Sequence, residues 1–545
     1  MTSPARISPL LWLIAVMAAA ALSCANLYLG DLNQDEGWYL YAAGLVAKGQ
    51  LPYLDFAFSQ GPVMPLVYAL FQPIFTAGLP AIGLATAGGV AGGRLITVLL
   101  GLAAAAVAAR LAARLVSAEL RAGAALATFT LISVNVYQSY FFTVVKTYSL
   151  TALLLLAGFL ALVEGQSRRR AWLIFLAGIF MAMAAGARSS AGVVLPIVFF
   201  YLLLVRRQVG ALAWLYFGLG ATLAAAGVFL PLLILAPEAF LYWVIKFHTL
   251  RHSGSCLMTL VYKVGFLSRV LQAYFVAFGL GIAIIVAKWA GRNPTDTPAP
   301  ADISAGRSSL GMIWLSLGAI SLIHFLAPFP YDDYQVFVFP LLAVALACPA
   351  VRLSGQRLVP WLTLGLLIIS LGAACSSPLN QDWFIQGRDR IWWLVKDRSP
   401  LQKLRDTAEL IRQETNPGDE LLTQDPYLAV EANRKLPAGL EMGQFSYFPA
   451  ISDDQAAVLH VFNRAGLERL LRTTEAPLAA LSGYALAIQS PEVTPLTPED
   501  KALFAAIVAE RYELMTNVTH FGQASTTLVI YRKKAGKLRT IDCRL

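Results

Sequence analysis

The sequence predicts an α-helical polytopic membrane protein that carries a C-terminal extracytoplasmic α/β domain. Three observations lead there. The chain of 545 residues is 57% hydrophobic with a mean hydropathy of +0.63, too apolar for a soluble domain of that length. Apolar runs long enough to cross a bilayer recur from the N-terminus to about residue 376. Beyond residue 376 charges are spread throughout and no such run appears. The net charge of +10 falls in short loops between apolar runs, which argues for membrane topology and against a nucleic-acid partner.

The first run, 7–29, is long and is followed by more, so it reads as a retained span and not a cleaved signal. A first outer loop, 30–91, follows. Within it, 62–82 is apolar but broken by Pro62, Pro65, Pro73 and Pro80, and it reads as helix lying on the outer membrane surface. Ten further spans are expected near 92–109, 122–138, 141–163, 171–187, 190–205, 211–235, 267–287, 309–327, 335–350 and 358–376, eleven in all.

Charge parity supports this count. The basic loops then alternate to one side: Arg110, Arg114 and Arg121; Arg168, Arg169 and Arg170; Arg206 and Arg207; Lys288, Arg292 and Arg307; Arg352 and Arg357. The positive-inside rule puts them, with Arg6 and the N-terminus, in the cytoplasm. A crossing at 62–82 would put the Arg110–Arg121 group outside.

A Pro/Ala/Asp-rich linker, 290–307, containing "RNPTDTPAPADISAGR", separates an eight-span block from a three-span block on the cytoplasmic side. The transmembrane domain is thus 1–376 and the outer α/β domain 377–545. In the latter, "SPLQKLRDTAELIRQETNPGDELLTQ" predicts a helix started by Ser399, an Asn-Pro-Gly-Asp turn and a short strand. Strands are expected at "YALAIQ" and "TTLVIYRKK", and another helix over 498–511. The five cysteines show neither CxxC nor metal spacing.

The residues that could carry chemistry collect at the outer ends of spans. "LNQDEGWYLYAAGLVAKGQLPYLDFAFSQGPVMP", 32–65, places Asp35, Glu36 and Asp55 beside the bilayer among Trp, Tyr and Phe. A loop acid is usually just solvated. Here Asp35 and Glu36 are adjacent at an expected helix start, followed by Trp38, Tyr39 and Tyr41, and Asp55 follows a Leu-Pro-Tyr break. A carboxylate at the interface can serve as a general base, hold a divalent cation or orient an acceptor hydroxyl. Arg94, Lys146, Arg188, Lys246, Arg251 and Lys263 sit at outer span ends, where snorkelling to headgroups is the plain explanation. Lys146, inside an apolar run, and Arg188, between two spans with almost no loop, fit that explanation least. A lipid-linked phosphate would need such partners. "KFHTLRHSG" groups His248 and Arg251 in one outer loop, and "FPYDDYQVFVFP" opens a late span with Tyr331, Asp332, Asp333 and Tyr334. A membrane-interface aromatic belt accounts for the tyrosines but not for the aspartates.

In order and placement these motifs resemble the GT-C glycosyltransferases, in the branch of protein O-mannosyltransferases and lipid A aminoarabinose transferases. The similarity spans most of residues 1–376. "QDEGWYLYAAGL" is similar to the Asp-Glu pair of that family's first outer loop; "LDFAFSQGPVMP" supplies Asp55 and Gly61-Pro62 but lacks the His of a His-Pro-Pro stretch. "AGGRLITVLLGL" carries Arg94 into a second span, "GIFMAMAAGARSSAGVVLP" has the basic bend at Arg188, and "PFPYDDYQVFVFPLL" is a Tyr-rich entry to a late span.

The resemblance implies a GT-C-like fold and an inner-membrane enzyme of the cell envelope working on the periplasmic face. The donor would be a polyprenyl-phosphate-linked sugar, the acceptor a hydroxyl on a lipid, glycan or protein, and configuration would invert. Asp35 would be the catalytic base, with Glu36 assisting or binding metal; Asp55, Arg94, Lys146, Arg188, His248, Arg251, Tyr331 and Tyr334 would bind substrate. A flippase of lipid-linked sugars would instead place ionisable groups mid-membrane at broken helices. A polysaccharide polymerase or ligase would rest on arginines in a large outer loop.

Overall fold

The computed structural model describes residues 7–73, 89–250, 255–291, 301–376, 398–483, 496–523 and 525–534. The helices that matter for the site are α1 (Pro9–Leu29), α2 (Gln34–Ala47), α3 (Gly89–Arg114), α4 (Arg121–Ser133), α5 (Tyr148–Arg168), α6 (Ala171–Ala187), α7 (Val194–Leu204), α8 (Ala213–Leu235), α9 (Cys256–Ala273), α10 (Phe275–Trp289), α11 (Ala301–Leu326) and α12 (Phe339–Ser376). Among the described residues seven helices are long and apolar enough to cross a membrane, with three shorter apolar ones beside them. The protein is a multi-pass membrane protein.

The reasons for these boundaries are local. Ser8 caps α1 through its hydroxyl, with Pro9 in the first turn where no N–H is needed. Asn33 and Glu36 form a reciprocal capping box that starts α2: the Asn33 side chain accepts from Asp35 N–H at 3.1 Å and Glu36 Oε1 accepts from Asn33 N–H at 2.9 Å.

Several expected spans differ in form. The run 122–138 ends as helix at Ser133, a separate short helix spans Val136–Phe141, and 142–147 is turn, so the next long helix, α5, begins only at Tyr148 and Lys146 lies in the turn before it. The run 267–287 divides at Tyr274 into α9 and α10. The last two runs form one element, α12, broken at Gly355, whose φ of 61° is open to glycine. Of the surface segment 62–82, only its first part is described, as the short helix Val63–Ala69. Most of the 290–307 linker, the "YALAIQ" stretch, Cys543 and Arg251 lie outside the described residues.

In the C-terminal part, Ser399 caps α13 (Pro400–Gln413), followed by the turn and strand β1 (Leu421–Thr423). Strands β2 (Leu478–Leu481), β3 (Tyr512–Phe521) and β4 (Thr526–Lys533) complete a sheet of order β1-β2-β4-β3. β1 and β2 are parallel, with Leu422 opposite Ala479, and the other pairs are antiparallel. α14 (Pro426–Ala432) lies next to α2, and Pro498–Arg511 is helical as expected.

The apolar residues form two cores. One lies among the membrane helices. The other joins the first outer loop, the 232–247 segment and the C-terminal domain, burying Trp38, Tyr53, Trp243, Leu428 and Tyr447 together. The first loop and the C-terminal domain therefore share one face of the molecule. Gly37 makes that approach close: a Cβ there would lie 2.2 Å from the Tyr427 nitrogen. The Tyr41 hydroxyl accepts from Leu436 N–H at 2.8 Å in the same interface.

Candidate active site

The capping box that starts α2 also fixes the two acids in opposite surroundings. Glu36 turns inward and is fully buried. Its oxygens meet Arg94 Nη2 at 2.6 Å and Nε at 2.7 Å, a bidentate pair with both side chains at 0% exposure. Arg94 spends its other hydrogens on the carbonyls of Leu27, Gly30 and Asp31, at 3.2, 3.1 and 2.8 Å. Glu36 Oε2 also accepts from Val145 N–H at 3.3 Å. These bonds tie the end of α1, the start of α2, α3 and the turn before α5 into one frame. Glu36 and Arg94 thus have no face open to a substrate, against the catalytic and binding roles expected of them.

Asp35 points the other way and is 27% exposed. One carboxylate oxygen lies 3.0 Å from Lys146 Nζ, and the other accepts from Trp38 Nε1 at 3.2 Å. Lys146 bridges onward to Asp333, 2.9 Å away, and Tyr148 donates to the same Asp333 oxygen at 2.8 Å. Burial works against the Asp333 charge, yet Lys146 and the Tyr148 hydroxyl hold its carboxyl below the usual carboxylate range. The neighbouring Asp332 accepts from Arg269 at 2.8 Å and from Tyr137 at 2.5 Å; burial and the Asp333 charge push its carboxyl up.

Arg188 lies at the bend between α6 and the segment leading to α7, with the rings of Tyr334 and Tyr148 4.4 and 4.8 Å from its guanidinium carbon. It is 8% exposed. Nη1 donates to Thr147 at 3.2 Å, while the buried Nε has no hydrogen-bond partner. Among the described residues Arg188 has no carboxylate within ion-pair distance. The bend is pressed against the first loop: a Cβ on Gly61 would lie 2.1 Å from the Gly186 carbonyl oxygen, which only glycine permits. That contact explains the Gln-Gly-Pro stretch after Asp55.

The other expected site residues have partners of their own. Asp55 is exposed and closes its own turn by accepting from Leu51 N–H at 2.7 Å. His248 bonds the Ser59 carbonyl at 2.8 Å, holding the 247–249 helix to the first loop. Tyr331 packs on Phe329 and Tyr334. Trp38 and Tyr39 are buried and stack on each other at 3.8 Å, so they form core. Lys263 donates to the carbonyls of Phe325 and Ala327 at a helix end.

Asp333, Tyr148 and Arg269 belong to the cluster but were not among the expected site residues. The paired aspartates of "FPYDDYQ" were the available signal. Among the described residues no three His, Cys, Asp or Glu side chains are grouped to hold a metal ion.

Beside the cluster, between α9–α10 and α11–α12, lies an apolar groove of about 470 Å³ lined by Phe266, Tyr274, Trp314, Leu317, Phe325 and Phe339. Gln335 also lines it and donates to His324 Nδ1 at 3.1 Å; the His324 ring packs against Tyr334, which covers Arg188. The groove and the buried cation are thus neighbours through two side chains.

No family model matches this chain, and no curated protein matches it in sequence. Solved structures do. ArnT from Cupriavidus metallidurans, solved bound to undecaprenyl phosphate, superposes with a TM-score of 0.57 at 16% identity, covering 96% of this chain and 98% of that one. This chain has the GT-C fold. The apo oligosaccharyltransferase of Archaeoglobus fulgidus aligns with a TM-score of 0.48 at 11% identity over 97% of this chain and 75% of its own. The mycobacterial arabinofuranosyltransferase AftD aligns at 0.46 and 14% identity, over 98% of this chain and 40% of its own.

Proposed function

We propose that this GT-C chain is an inner-membrane glycosyltransferase, moving a hexosyl or pentosyl group from a polyprenyl-phosphate donor to an acceptor hydroxyl on the periplasmic face. The observation that carries the reading is Arg188. Burying a guanidinium without a counter-ion costs several kcal/mol, which the Tyr148 and Tyr334 rings and Thr147 offset only in part, and its unpartnered Nε offers an anion a ready hydrogen bond. The apolar groove alongside suits a lipid chain whose phosphate reaches that cation. ArnT, the similar structure, was solved with such a lipid.

In this reading Asp35 removes the acceptor hydroxyl proton. The acceptor oxygen forms its bond to the anomeric carbon as the carbon–oxygen bond to phosphate breaks, inverting configuration. The phosphate leaves with the electron pair, and Arg188 and Lys146 stabilise its charge. Lys146 also orients Asp35, and Asp333 with Tyr148 holds Lys146 in place. Glu36 and Arg94 position the helix start that carries Asp35. Tyr334 covers the arginine. The N-terminus lies in the cytoplasm and the C-terminal domain in the periplasm. The acceptor is a lipid, glycan or protein.

The test is turnover. Mass spectrometry of a deletion strain identifies the lipid-linked sugar that accumulates, and that lipid serves as donor for the purified protein. Asp35→Asn should retain donor binding and lose roughly 10²–10⁴-fold in rate, the usual worth of a general base. Wild-type turnover by Asp35→Asn would remove Asp35 from the reaction.

A further inference from the structure

A second cavity, of about 700 Å³, opens between the end of α1 and the C-terminal domain, and the mechanism above makes no use of it. Its floor is Asp31 and Leu32; its walls are α13, with Lys403 and Asp406, and β3, with Thr516 and Asn517. We propose that this cleft binds the carbohydrate portion of the acceptor, a proposal that rests on the transferase reading and specifies its second substrate as a glycan or glycolipid.

Three observations support it. First, both sides of the cleft are tied to the segment carrying Asp35. The Asp31 carbonyl is held by Arg94 Nη2 at 2.8 Å and by the Tyr140 hydroxyl at 3.2 Å, so the floor belongs to the Glu36–Arg94 frame. Gly522 lines the rim, and the next residue, Gln523, accepts from Gln34 N–H at 3.2 Å, one residue before Asp35. A molecule in the cleft therefore lies against elements that also hold the segment carrying Asp35.

Second, the lining suits hydroxyl groups. Each sugar hydroxyl both donates and accepts, so a carbohydrate site mixes carboxylates, amides, hydroxyls and cationic donors. Here Asp31 and Asp406 balance Arg398 and Lys403, with Asn517 and threonine hydroxyls between them. The two acids offset the two cations, which fits a neutral polyhydroxylated ligand and not a polyanion. Arg398 is exposed and makes no ion pair among the described residues.

Third, the size is right. The volume lies within the range of about 300–1,000 Å³ common for ligand pockets. Lys403 donates to the carbonyls of Thr519 and His520 at 3.2 and 3.0 Å, which fixes one wall to the other. The cleft is thus a built feature of the domain junction.

The experiment reads binding without turnover. The purified full-length protein in lipid nanodiscs is mixed at millimolar concentration with the methyl glycosides of glucose, galactose, mannose, arabinose and N-acetylglucosamine. Saturation-transfer NMR then identifies any that bind. At least one should bind the wild type and the Arg188→Ala variant alike. Its affinity should fall by about tenfold or more in Asn517→Trp, which fills the cleft. Arg398→Ala, which breaks no bond made by the described residues, should weaken it in the same direction and decides the matter if the tryptophan variant fails to fold. Absence of binding by every glycoside overturns the proposal. So does binding that is lost in Arg188→Ala, or binding that persists undiminished in Asn517→Trp or, if that variant does not fold, in Arg398→Ala. Intact donor turnover without glycoside binding would remove the cleft alone, whereas glycoside binding without donor turnover would leave a sugar-binding cleft but remove the transferase reading and, with it, the cleft's role as acceptor site.

Discussion

Removing Arg94 tests whether the Glu36–Arg94 pair is a frame or part of the reacting centre. Arg94→Ala would leave a fully buried carboxylate without its cation and strip a donor from three backbone carbonyls, those of Leu27, Gly30 and Asp31. Breaking a buried pair by removing one partner costs about 3–5 kcal/mol. The Leu27 and Gly30 carbonyls add to this, since each unsatisfied buried acceptor costs about 1–3 kcal/mol when water cannot reach it, while the Asp31 carbonyl keeps the Tyr140 hydroxyl. The total is a large share of a typical folding free energy of about 5–15 kcal/mol. The expected outcome is a large loss of stability in reversible detergent unfolding followed by circular dichroism. Glu36→Gln keeps shape and one acceptor, so it should cost less than Arg94→Ala. A double change to Leu and Met should recover part of the loss, because well-packed apolar residues often replace buried pairs at little cost. An Arg94→Ala protein of unchanged stability whose donor binding collapses would refute this and return Arg94 to the substrate.

Asp333→Asn should loosen Lys146 and lower the melting temperature. Because the Asp333 carboxyl is held below its usual range, the stability it contributes is fully present above its unfolded pKa of about 4 and is lost as the pH falls through the lower folded value. The wild-type minus Asp333→Asn difference in melting temperature should be level from pH 7 to 5 and shrink only below about 4; shrinkage already near pH 6 would contradict the pairing. Gly61→Ala must push the first loop off the Gly186 carbonyl, so it should destabilise the fold and impair donor binding together, whereas Gly49→Ala, where space is open but φ is positive, should affect stability alone. Reporter fusions at residues 300 and 545 should report opposite compartments; the same compartment for both would end the expected topology.

The membrane architecture was legible because apolar run length and loop charge are properties of single segments. Span ends were less so. The turn before α5 and the break at Tyr274 depend on the polar contacts that residues 135–147 and 274 make with distant helices, such as Gln138 with Tyr274 at 2.8 Å and with the Val336 carbonyl at 2.9 Å. At the site, the Asp-Glu pair, Lys146 and Arg188 stood out because charge beside an apolar run is costly. Which acid of the pair faces outward was not legible: adjacent residues at a helix start diverge, and only the position of Arg94, 58 residues away, sends Glu36 inward. Asp333 was visible as an unexplained acid, but its partner Lys146 is 187 residues away.

The central claim is that Arg188 receives the phosphate of a lipid lying in the apolar groove. Native mass spectrometry of the purified protein with undecaprenyl phosphate and with undecaprenol, which lacks the phosphate, tests it most directly. Wild type should prefer the phosphate-bearing lipid by at least about tenfold, equivalent to 1.4 kcal/mol, and Arg188→Ala should lose most of that preference while remaining folded. Equal binding of both lipids by the wild type, or an undiminished preference in Arg188→Ala, would contradict the account.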